Sequence, residues 1–208
     1  TDLSINLYPH LSILATVYAD LLEVWQWKQF AIVYEDSETV VQFRHFFTTR
    51  ATIDRQWDMK LFQLPADRPY RDVLWQLKAT QITNVLLVVR TAHVVEVLRQ
   101  AQQVGVLTEA HNYLITSLVS LVALFLILNS SLSHTQDLHT LDLEYFRHSK
   151  ANITSLRIVR EDHPELQSLL LDWQSYAARY LPRAFSLPRP RYLSSRSAMI
   201  WDAAQILA

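Results

Sequence analysis

The chain has 208 residues, half of them hydrophobic and 11% aromatic, and a formal net charge of −1. That is enough apolar material for one large domain or two lobes, and it offers no basic footprint for nucleic acid. No Cys is present and only one Gly, Gly105, which excludes a disulfide framework, a thiolate metal site and the glycine-rich loops that bring backbone against phosphate in P-loop and dinucleotide folds.

Leu7, Leu11, Leu14, Tyr18, Leu21, Leu22 and Trp25 recur at helical spacing and predict an amphipathic helix over 8–25. Trp27-Lys28-Gln29 then leads into Phe30 to Tyr34, a continuous apolar, β-prone run of strand length. A strand apolar on both faces fits a parallel sheet covered by helices on each side. The carboxyl ends of such strands form the ligand crevice, so Glu35 and Asp36 stand where function usually sits.

Residues 38–50 predict a second helix, with Ser37 as N-cap and Val40, Val41, Phe43, Phe46 and Phe47 available for burial. A short strand over 60–64 stops at Pro65, and a helix over 70–80 turns Val73, Leu74 and Leu77 inward. Residues 84–89 are the clearest strand; a helix over 92–104 follows, ended by Gly105 at its C′ position. A fourth strand is expected over 112–117. The alternation of strands and helices predicts an α/β fold with a parallel sheet flanked by helices and right-handed crossovers. Later come a strand over 153–159, a long helix over 163–181, a proline-containing linker over 182–190 and a helix begun at Ser197. The start lacks an initiator Met and a basic n-region, and the end stops inside a helical pattern, so a fragment of a longer protein is expected.

Residues 113–133 contain no charged side chain, and 119–128 are almost wholly apolar. A membrane helix needs about 20 predominantly apolar residues, a length reached here only by including Ser and Asn. A buried strand running into a buried helix is the plainer reading.

Candidate chemistry is sparse. The eight His residues form neither HExxH nor HxH, and His45, His93 and His163 stand isolated. No metal site is expected, because one needs three or four converging ligands. Asp142 and Glu144 lie two apart, but the plain reading of that pair is a solvated loop. No Gly-x-Ser-x-Gly elbow exists, which excludes an α/β-hydrolase. With no glycine-rich loop or nucleophile constellation, no enzymatic activity and no cofactor are expected. The six Trp residues mostly fall on apolar helix faces or element ends and read as core residues rather than a stacking platform. Two sequons, Asn129-Ser130-Ser131 and Asn152-Ile153-Thr154, matter only in a secreted chain, where Asn152 is the N-glycosylation candidate.

Several segments carry a family resemblance. They are Leu7-Tyr8-Pro9, Trp27-Lys28 before Ala31-Ile32-Val33-Tyr34-Glu35-Asp36, Gln63-Leu64-Pro65 and Gly105-Val106-Leu107-Thr108-Glu109. Leu141-Asp142-Leu143-Glu144, Asn152-Ile153-Thr154 and Trp201-Asp202-Ala203 follow in the same order. Together they resemble the amino-terminal domain of kainate-type ionotropic glutamate receptors across nearly the whole chain. The resemblance implies a type I periplasmic-binding-protein-like clamshell of two α/β lobes, outside the cell above a ligand-gated cation channel, with no glutamate site of its own. On this basis residues 1–185 are the second lobe, and 186–208 are a linker and a helix returning to the first lobe. The family pattern runs directly from Ile115-Thr116-Ser117-Leu118 into Asp137-Leu138, whereas here 119–136 intervene. Their first residue, Val119, and last, Gln136, fit in-frame GT and CAG intron boundaries. Translated intron and a genuine apolar loop are the two readings; transcripts that all encode the segment would exclude the first.

Three functions follow as expectations. The first is an interaction module that assembles with other ionotropic glutamate receptor subunits into a dimer and then a tetramer, anchored in the membrane outside this region and placed on the extracellular, postsynaptic side. Helices flanking the first strands would carry the contact, with Val40, Phe43 and Phe47 as candidates. The second is an amino-acid sensor in which Arg90 holds a ligand carboxylate and Glu35 its amine. The third, an enzyme of flavodoxin-like architecture, has nothing in its favour.

Overall fold

The computed structural model describes residues 11–35, 57–66, 69–116, 142–156, 163–180 and 195–207. The predicted helix over 38–50 and the segment 119–136 lie outside the described residues. The chain divides into two compact units, one of residues 9–156 and one joining 1–8 to 157–208.

The first unit opens with α1 (Leu11–Val24) and β1 (Gln29–Tyr34). After them come β2 (Asp58–Gln63), α2 (Arg71–Ala79), β3 (Asn84–Val88), α3 (Thr91–Val104) and β4 (Asn112–Ile115). A 3-10 helix (Glu144–Ser149) precedes β5 (Asn152–Ser155). The five strands form one sheet in the order β2-β1-β3-β4-β5, every neighbouring pair parallel. The α/β expectation therefore holds, and β1, β3 and β4 show the burial on both faces that an apolar run requires.

The alternation of side chains splits the strands between two faces. On one, Ala31, Val33, Val85, Leu87, Val89, Tyr113 and Ile115 join a core with Tyr70 just before α2, Leu74 and Leu77 of α2 and Val94, Leu98 and Ala101 of α3. On the other, Phe30, Ile32, Leu86 and Leu114 are fully buried. Each such residue contributes about 1.5–3 kcal/mol relative to leaving it in water. The helix α1 buries Leu14, Tyr18, Ala19 and Leu22.

Besides a surface bond from Arg71 Nη2 to Gln103 Oε1 at 2.7 Å, two polar contacts to backbone groups join α2 to α3. Gln100, buried on α3, accepts a hydrogen bond from the Tyr70 backbone N–H at 2.7 Å, at the start of α2. At the other end, Lys78 Nζ donates to the Val104 carbonyl at 2.7 Å. Each satisfies a helix-terminal group that the helix itself cannot. Gly105 ends α3 in the left-handed region, at φ 82°, as its predicted C-terminal position requires.

A side-chain ladder runs along the amino-terminal edge of the sheet. Gln29 Nε2 donates to Asp58 Oδ2 at 2.8 Å, and Asn84 Nδ2 donates to the Gln29 carbonyl at 3.2 Å. Asn112 Nδ2 donates to Asn84 Oδ1 at 2.9 Å, and Asn152 Nδ2 donates to Asn112 Oδ1 at 3.0 Å. All five strands are linked in spatial order.

The tryptophan expectation is corrected. Trp27 is buried, but Trp25, Trp75, Trp173 and Trp201 are exposed. A large ring finds other partners at the surface: Trp25 lies against Trp27, and Trp75 beneath Lys78 Nζ. The second unit contributes α4 (Pro164–Tyr180) and α5 (Ser195–Leu207). No helix among the described residues is long and apolar enough to cross a membrane.

Candidate functional site

In this strand order β1 connects toward β2 on one side, and β3 connects toward β4 on the other. The β1/β3 boundary is therefore the topological switch point, where open α/β sheets bind ligands beyond their carboxyl ends. Glu35 follows β1 and Arg90 follows β3, so both candidate ligand residues stand at that boundary.

They are bonded to each other. Glu35 Oε2 accepts from Arg90 Nε at 2.9 Å and from the Arg90 backbone N–H at 3.2 Å. Glu35 Oε1 meets His93 Nδ1, one turn into α3. The Glu35 side chain is 10% exposed and that of Arg90 58%. Arg90 is the N-cap residue of α3, extended at φ −60° and ψ 140°, and its own side chain makes no capping bond. The Glu35 carboxylate supplies the cap from the neighbouring strand, at the positive end of the helix dipole.

This arrangement bears on the sensor geometry. The Glu35 carboxylate already meets three groups and is only 10% exposed, so little of it is open to a ligand amine. The terminal nitrogens of Arg90 make no hydrogen bond among the described residues, and this cation is the part of the pair open to solvent. Thr116, at the end of β4, is buried, with its hydroxyl turned 3.4 Å from the Leu87 carbonyl rather than into the crevice.

His93 was not legible as a partner, since it pairs across 58 residues of sequence. The available signal was its place one turn after Arg90, on the helix that follows the switch strand. Asp142 and Glu144 prove to be a local cap: Asp142 Oδ1 accepts the Glu144 backbone N–H at 3.1 Å, opening the 3-10 helix. Val40, Phe43 and Phe47 lie outside the described residues. Asn152 begins β5 and is exposed. Among the described residues, no group of three or more His, Asp or Glu is placed to hold a metal ion.

Residues 2–208 match the family described as "Receptor family ligand binding region". The chain belongs to that family, whose fold is periplasmic-binding-protein-like, in keeping with the parallel sheet flanked by helices. It is similar to "Glutamate receptor ionotropic, kainate 1" of Rattus norvegicus, Mus musculus and Homo sapiens, at 25% identity over 205 residues in each case. Those alignments cover 98% of this chain and 20–22% of each relative, so the chain spans about a fifth of their length. These relatives are of the kainate class that the sequence resemblance implied.

Proposed function

We propose that this region is part of the extracellular amino-terminal domain of a kainate-like glutamate-gated cation channel, where it directs subunit assembly and modulates the channel. Its partners are other ionotropic glutamate receptor subunits, joined first as a dimer and then as a tetramer, with the membrane anchor elsewhere in the protein.

One observation carries this reading. The helix α1 carries large apolar side chains on its outer side as well as on its buried one. Opposite its buried face, Ile13 is 58% exposed, Val17 38% and Val24 75%. Their spacing of four and seven residues puts them in one stripe. Exposed Asp20 and Glu23 share that outer side, so it is the mixed apolar and polar surface that a subunit contact covers. An isologous contact, in which the same helix of a second subunit lies across it, covers both copies at once. This agrees with the expectation that helices flanking the first strand carry the interface.

Sedimentation velocity on the complete two-lobe domain, built without 119–136, tests this. A concentration-dependent dimer is expected, weakened tenfold or more by Val17→Asp. A folded wild-type domain that stays monomeric at every concentration would remove the assembly role. A dimer indifferent to Val17→Asp would move the interface off α1.

The small-ligand reading has Arg90 in its favour and the occupied Glu35 against it. Amino-acid-induced thermal stabilisation that disappears in Arg90→Ala would revive it; no stabilisation in the wild-type domain would end it.

A further inference from the structure

Arg90 is held without being used up. Its Nε–H and its backbone N–H both donate to Glu35 Oε2. A guanidinium has five N–H donors. One is spent on Glu35, and those on the two terminal nitrogens make no hydrogen bond among the described residues. The Arg90 side chain is 58% exposed, whereas those of Glu35 and His93 are 10% and 23% exposed. The helix start is not itself the feature, because the Glu35 carboxylate already takes the N–H there.

We propose that the Arg90 guanidinium is one half of an interlobe latch, holding a carboxylate side chain of the facing lobe when the two-lobe domain closes. The proposal rests on the two-lobe reading and is independent of subunit assembly. β1 and β3 are neighbours and end at the switch-point crevice, the side on which the other lobe of a clamshell closes. The free edge of Arg90 is a planar fork that only donates, and a carboxylate only accepts, so the two match. An α-amino acid fits less well. Its ammonium needs an acid, and Glu35 is engaged on both oxygens.

Magnitude chooses between a free carboxylate and a tethered one. A solvent-open ion pair shifts an equilibrium by about fivefold at most. Holding a free carboxylate with even millimolar affinity needs a factor of about a thousand. A side chain carried on the facing lobe arrives at high effective concentration, so a fivefold bias toward closure is felt. Glu35 keeps the fork oriented through Nε, so less side-chain freedom is lost when the outer edge is engaged.

The test uses the complete two-lobe domain with one fluorophore on each lobe. Single-molecule energy transfer gives the ratio of closed to open molecules. At low salt the wild-type ratio is expected to exceed that of Arg90→Gln by about two- to fivefold. Added salt should bring the wild type down to the variant and leave the variant unchanged. Arg90→Lys, which keeps the charge and loses the fork, should fall between them. A ratio that Arg90→Gln leaves unchanged, or a wild-type ratio indifferent to salt, overturns the latch. A single label distance in every variant overturns it by denying the closure on which it acts. Acetate, compared with chloride at equal ionic strength, tests the free ligand. Thermal stabilisation by acetate of the wild type but not of Arg90→Gln would place a free carboxylate on Arg90 and overturn the tethered one. Sedimentation of the same samples reads assembly separately. A monomeric wild type that keeps the Arg90-dependent ratio would remove the assembly role and support the latch.

Discussion

Glu35 and Arg90 are joined twice, through the Nε–H and through the backbone N–H that opens α3, both to the same carboxylate oxygen. The first contact is an ion pair open to solvent on its Arg90 side; the second is a helix cap supplied from an adjacent strand. Exposed ion pairs contribute about 0–1 kcal/mol, whereas losing an N-terminal cap costs about 1 kcal/mol and up to about 2. The cap is therefore the larger effect, and the pair locks β1 to α3 more than it advertises a binding site.

Glu35→Ala is expected to destabilise the complete domain by about 1–2 kcal/mol, through the lost cap and the lost His93 contact. Arg90→Ala keeps its backbone N–H and should cost less than about 1 kcal/mol. Denaturant unfolding of both variants measures the difference. Equal losses would show that the ion pair, not the cap, dominates.

The ladder makes a second ordering. Asn112 is half-buried, donates to Asn84 and accepts from Asn152, so Asn112→Ala takes the donor from Asn84 Oδ1 and the acceptor from Asn152 Nδ2. A loss of about 1–3 kcal/mol is expected. Asn152 is exposed and water replaces its one bond, so Asn152→Ala in unglycosylated protein should cost less than about 1 kcal/mol. Thermal or denaturant melts that reverse the order would remove the ladder from the account of sheet stability.

Most of the sheet was legible because its central strands are buried on both faces. Phe30 to Tyr34 and the run from Asn84 had no solvent side to interrupt their apolar pattern, and β1 and β3 fall within a residue or two of the predicted spans. The helices were legible from their periodicity, and the end of α3 from the lone glycine. Strand order was not, since periodicity carries no information about which strands are neighbours. The Glu35–Arg90–His93 cluster was only half visible. Strand-end position singled out Glu35 and Arg90, but that they satisfy each other depends on β1 and β3 being adjacent. The ladder was invisible for the same reason: three Asn residues about 30 to 40 apart become one feature only once Asn84, Asn112 and Asn152 share a register.

Gly105→Ala should cost about 1 kcal/mol, because φ of 82° is a region that L side chains rarely adopt. The added Cβ would also lie 3.3 Å from Lys78 Nζ, the flexible end of a side chain, which can swing away at the expense of its bond to the Val104 carbonyl. Lys78→Met removes that bond directly, for about 0.5–1.5 kcal/mol. If Gly105→Ala already displaces Nζ, the double variant loses less than the sum of the singles. Strict additivity in a double-mutant cycle would mean that Lys78 keeps its bond beside Ala.

Tyr113 and His111 set opposite ends of the pH range. The Tyr113 hydroxyl is buried and donates to the Val106 carbonyl at 2.6 Å, and burial pushes its ionisation well above the ordinary tyrosine value. Above pH ~10 the unfolded chain releases this proton while the folded chain keeps it. The unfolded state then binds fewer protons, so stability falls as pH rises. Burial lowers His111 instead. Below pH ~6.5 the unfolded chain takes up a proton that the folded imidazole resists, so stability falls as pH falls. Tyr113→Phe is expected to cost about 1 kcal/mol at neutral pH, since the buried Val106 carbonyl loses its donor, and to flatten the alkaline limb of a stability-versus-pH curve. His111→Gln should flatten the acid limb and leave the alkaline one unchanged. An alkaline limb that persists in Tyr113→Phe would assign that dependence to other groups.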